Sequence, residues 1–75
     1  MKEKITKIRT FSGKEFTVKN PRDKIKEVFG MDYNVEPPTE YHVGYKIKLY
    51  KRGWKYKAFV AREDVEAVTV GSKDN

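Results

Sequence analysis

Residues 20–29, "NPRDKIKEVF", decide the fold class of this 75-residue chain. Asn20 is a strong helix N-cap, Pro21 suits the first helical position, and Asp23 favours the positive end of a helix. Ile25, Val28 and Phe29 recur at i, i+3 and i+4, and Gly30 follows as a stop signal. The spacing predicts a short helix, packed on a sheet because a helix of this length is unstable alone. The chain is then α+β, and mainly β.

Both flanks read as strands. Residues 4–19 form a hairpin in which Ile8, Thr10, Phe16 and Val18 share one face. Ser12-Gly13 marks the turn, since glycine accepts positive φ without steric cost. A loop with an odd number of residues keeps that pairing in phase. A two-residue Ser-Gly loop would set Phe16 opposite Arg9. Residues 31–42, "MDYNVEPPTEYH", are an acidic connector whose Pro37-Pro38 disfavours helix and central strand alike. Residues 43–61 form a second hairpin, 62–64 a single helical turn, and 65–70 a last short strand. Residues 71–75 make a flexible tail.

The expected architecture is one small domain over residues 1–70 in the order β-β-α-β-β-β, with a strongly bent antiparallel sheet. Over residues 43–70, the sequence of strand, helical turn and short strand resembles the element order of an SH3-like barrel. A fainter regularity runs through the whole chain. At an offset of 40, Gly13 meets Gly53, Phe16 meets Tyr56, Ile25 meets Val65 and Val28 meets Val68. Two related β-β-turn units would produce such an echo, and so would chance matching of apolar positions.

Length and composition narrow the function classes. A chain this short buries a small core and has little room for a deep cleft, which disfavours an enzyme. Cysteine is absent, so no disulfide or thiolate metal site is available. The N-terminal "MKEKITKIRT" lacks the apolar run of a signal peptide, and no segment is apolar enough for a membrane span. A cytoplasmic protein with no membrane partner is expected.

The net charge of +6 is unevenly placed. Residues 1–26 carry net +6, residues 27–45 carry four acids and no base, residues 46–57 carry six bases and no acid, and residues 58–75 carry net −2. The bases are concentrated in segments that read as hairpins.

The second hairpin shows what this does. With the turn at Arg52-Gly53, residue i faces residue 105 − i. Tyr45, Ile47, Leu49, Tyr56, Ala58 and Val60 then share the core face. A three-residue loop would set lysines opposite Ile and Leu positions. The other face follows: Lys46 opposite Phe59, Lys48 opposite Lys57, Tyr50 opposite Lys55. Like charges face one another with no acid in the hairpin to relieve them. A solvated outer face, with lysines guarding against aggregation, explains the lysines but not the absence of glutamate.

An anionic partner explains both, and the expected one is DNA or RNA. Lys46, Lys48, Lys51, Arg52, Lys55 and Lys57 would contact phosphates without reading sequence, with Tyr50 and Trp54 stacking on bases. Lys7 and Arg9 would extend the surface if the hairpins share a sheet. Trp54 has a competing structural role as the cap on one end of the core. The alternative function is a small interaction or inhibitor module, of the accessory type found in phages and mobile elements, that docks the same hairpin on an acidic protein. A homodimer through a strand edge is compatible with either.

Catalysis finds little support. Glu63, Asp64 and Glu66 lack a paired group in a sheltered site, Ser12 and Ser72 lack a base, and no phosphate-binding glycine pattern occurs. The lone His42 without cysteine makes a transition-metal site improbable. No catalytic residue, metal or cofactor is expected.

Overall fold

The computed structural model describes the backbone of residues 2–74 and the side chains of residues 3–72. Six strands follow one another: β1 Lys2–Thr10, β2 Glu15–Asn20, β3 Lys24–Asp32, β4 Thr39–Lys51, β5 Trp54–Ala61 and β6 Val65–Asp74, with a 3-10 turn Arg62–Asp64 before β6. They form two three-stranded antiparallel sheets, ordered β2-β1-β6 and β3-β4-β5. Hydrogen bonding stops at β2 and β6 in one sheet and at β3 and β5 in the other. Four edges therefore remain, and the SH3-like barrel expected over residues 43–70 is not formed.

The helix expected at 20–29 is not formed either, so the α+β assignment is corrected to nearly all β. Lys24–Asp32 is a strand paired with β4. Its i, i+3, i+4 spacing mixes two faces. Ile25, opposite Ile47, and Phe29, opposite His42, point to the core side, while Val28, opposite Gly44, points outward. A bulge places two residues of β4, His42 and Val43, against one step of β3 between Val28 and Phe29. The ladder holds nine residues of β3 in register with β4, and tertiary pairing of this kind overrides local helix signals.

The residues expected to start that helix build a turn instead. Asp23 donates its N–H to the Lys19 carbonyl at 2.8 Å, and its carboxylate accepts from the N–H groups of Lys19 at 3.1 Å and Tyr50 at 2.8 Å. Tyr50 lies two residues beyond Lys48, the partner of the first residue of β3, so the carboxylate continues the ladder on β4 just before β3 begins. The connector is shorter than residues 31–42, since β3 runs to Asp32 and β4 begins at Thr39. The last strand is longer than expected. Gly71–Asp74 pair with Ile5–Lys2, and Asn75 lies outside the described residues.

Both hairpin registers agree with the sequence. Ile8 lies opposite Phe16 across the three-residue loop Phe11-Ser12-Gly13, and residues 44–51 of β4 pair with β5 by the 105 − i rule. Gly13 and Gly53 have φ of 90° and 76°, which is why each turn carries glycine there. The core lies between the sheets: Ile8, Val18 and Val65 from one, Ile47 and Val60 from the other, rimmed by Phe16, Ile25, Tyr45, Leu49 and Ala58.

The offset of 40 has a counterpart in the topology. Each half of the chain supplies a hairpin and then a third strand, and each lends that third strand to the other half's sheet. β1-β2 takes β6, and β4-β5 takes β3.

Candidate nucleic-acid interface

The outer face of β3-β4-β5 follows from its register. Lys24, Lys48 and Lys57 form one row across three strands, and Lys26, Lys46 and Phe59 form the next. Neighbouring strands lie about 4.8 Å apart, and residues two apart along a strand about 6.7 Å, so five ammonium groups start from a compact grid. The lysines and Phe59 line an open groove of about 730 Å³. All five lysines are exposed. Among the described residues, the ion pairs within 4 Å are Arg9–Glu15 and Arg22–Asp23, and neither involves the grid. Glu63, Asp64 and Glu66 do not pair with these lysines.

Phe59 is held in place by a glycine. Its ring lies over Gly44 in the neighbouring strand, where a β-carbon would come within 2.8 Å of the ring and would overlap the Val60 carbonyl oxygen. The ring remains 52% exposed, so one of its faces is open to the groove.

The residues singled out in the sequence divide into groups. Lys46, Lys48 and Lys57 belong to the grid. Tyr50 and Lys55 pair on the same face, closer to the hairpin tip. Lys51 and Trp54 pair on the opposite face, with the Lys51 ammonium 5.6 Å from the Trp54 ring centre, a cation–π contact. Arg52 sits in the exposed turn. Trp54 does not cap the core. It is 54% exposed and lies edge-on to Tyr56 at 6.4 Å. Lys7 and Arg9 belong to β1, on the outer side of the other sheet, where Arg9 lies 3.6 Å from Glu15. The hairpins do not share a sheet, so these two residues do not extend the grid.

Lys24 and Lys26 join the grid because Lys24–Asp32 is a strand and not the expected helix. A signal for them existed: the triplet Lys24-Ile25-Lys26 repeats Lys46-Ile47-Lys48, and the two triplets lie directly opposite each other.

The other candidate groups have structural partners. Asp64 accepts from the Ser12 hydroxyl at 3.1 Å and, through its carbonyl, from the Phe11 N–H at 2.8 Å, tying the β1–β2 turn to the 3-10 turn. His42 packs between Phe29, tilted at 5.2 Å, and Tyr45, edge-on at 4.5 Å, with its Nε2 2.9 Å from the Gly44 carbonyl oxygen. Among the described residues, no three His, Cys, Asp or Glu side chains cluster as a metal site, and no helix is long and apolar enough to cross a membrane. Comparison of the chain with family models, with curated proteins and with solved structures returns no match.

Proposed function

We propose that the protein is a non-enzymatic module that binds nucleic acid, with low sequence specificity, through the outer face of β3-β4-β5. The observation that carries this reading is the pair of facing Lys-Ile-Lys triplets, continued by Lys57 and bordered by the half-open ring of Phe59. Directly opposed lysines repel one another and destabilise the free sheet by a fraction of a kcal/mol per pair. A phosphate backbone laid along the groove would relieve that repulsion and release its own counterions. Phe59 is placed to stack on an unpaired base beside the phosphates, which favours single strands.

Binding measured by fluorescence anisotropy should weaken with salt. If four or five phosphates are neutralised, log K should fall against log salt with a slope of about −3 for a single strand. Lys48→Glu/Lys57→Glu should weaken binding at least tenfold, whereas Lys7→Glu/Arg9→Glu, with the same change in net charge, should cost much less. Equal losses from the two pairs would mean that affinity reflects net charge and not this face. No binding at low salt would end the proposal and leave the acidic protein partner as the reading to pursue.

A further inference from the structure

We propose that two copies of the chain pair antiparallel through the free edge of β6, about a two-fold axis at Thr69, joining two sheets into one of six strands. The proposal is independent of the nucleic-acid reading. It starts from the four sheet edges. An unpaired edge is a row of backbone donors and acceptors whose natural occupant is another strand, and proteins block such edges with lysine, proline or bulges. Three of the four are blocked in this way. β2 carries Lys19 and runs into Pro21, β3 carries Lys24 and Lys26, and β5 carries Lys55 and Lys57. β6 differs. Its regular part begins after the irregularity opposite Arg9 and Thr10, and from Ala67 to Ser72 it has no charge and no proline.

The side chains support the same occupant. Val68 and Val70 lie opposite Ile8 and Thr6 and therefore point to the core side of their sheet. The second sheet does not cover them, and they remain 40% and 59% exposed. In a chain of net charge +6, this uncharged stretch is also where two copies meet with least repulsion.

Self-complementarity selects the register. In an antiparallel pair, facing residues share a side, so the two-fold axis must pass through a residue. With the axis at Thr69, Val68 meets Val70 of the second copy and Val70 meets its Val68, Thr69 meets Thr69, and Ala67 meets Gly71. Moving the axis to Val68 sets Val70 against Glu66, and moving it to Val70 sets Val68 against Ser72. The axis at Thr69 alone matches both valines with valines and adds a threonine pair.

Sedimentation velocity at high salt, without nucleic acid and up to millimolar protein, tests this. The wild type should dimerise with concentration. Val70→Lys should raise the dissociation constant at least tenfold with unchanged circular dichroism, since Val70 is exposed in the single chain. The chain has no cysteine, so Thr69→Cys should cross-link to itself with a short bis-maleimide, while Lys19→Cys, on the opposite edge of the same sheet, should not. A wild type that stays monomeric overturns the proposal. So does a dimer unaffected by Val70→Lys, or equal cross-linking through both cysteines.

Discussion

Asp23 adds a polar link between two sheets whose other shared contact is the apolar core. The residue is 2% exposed, and its carboxylate accepts hydrogen bonds from the N–H groups of Lys19 at the end of one sheet and Tyr50 in the other. Burial pushes its carboxyl up. The Tyr50 and Lys19 donors and the neighbouring Arg22 more than offset this and hold it below its ordinary value of 3.8. A carboxyl with a depressed folded value contributes stability above the unfolded value and loses it as pH falls through the folded one. Asp23→Asn keeps one acceptor but turns an amide N–H₂ toward a donor. We expect a loss of about 1–3 kcal/mol in chemical denaturation at neutral pH. The difference between variant and wild type should shrink below pH 3.8. Gly44 is a second single-residue constraint. Gly44→Ala should cost about 1–3 kcal/mol by overpacking and tilt the Phe59 ring, visible as a shift of its ring protons in NMR. Neither residue was legible for its role. Asp23 also fits a helix start, and nothing local shows that a distant ring will cover Gly44.

At the scale of the element, the hairpins were legible and β3 was not, for a physical reason. The hairpin registers are set by turns and by alternation within about 20 residues, so the sequence carries both halves of each pairing. The partner of β3 is also close in sequence, but the bulge at Val43 breaks the phase between them. Ile25, Val28 and Phe29 then mimic a helical stripe although they lie on two faces. The echo at an offset of 40 pointed the other way, since it matched Ile25 and Val28 with Val65 and Val68, which read as strand. The sequence places the end of the last strand at Val70, because "GSKD" is polar and holds a glycine. Its order comes from pairing with Lys2–Ile5 at the other end of the chain. Deleting residues 71–75 should therefore lower stability. A loss of about 1 kcal/mol would reduce Tm by about 4–8 °C in a domain of this size. An unchanged melting curve in dilute solution would mean that those pairs contribute nothing.

At the scale of the molecule, charge distribution was more legible than architecture. The basic hairpin face was evident from alternation alone, because a period of two assigns every side chain once one is placed. Its extension to Lys24 and Lys26 required the correct strand, and the exclusion of Lys7 and Arg9 required knowing that the hairpins belong to different sheets. One feature links the charges to the shape. β4 is 13 residues long, about 43 Å at about 3.3 Å per residue, a length comparable with the 48 Å longest extent of the molecule. Its C-terminal half carries Lys46, Lys48 and Lys51. Its N-terminal half belongs to an arm holding Asp32, Glu36 and Glu40, with Phe29, Met31 and Tyr41 exposed. A single strand thus carries opposite charges toward its two ends, like a bar magnet's poles. In the field of any polyanion such a body feels a torque before it feels a contact. On the proposed nucleic-acid reading, the lysine-bearing half faces the polyanion and the acidic aromatic arm faces away from it.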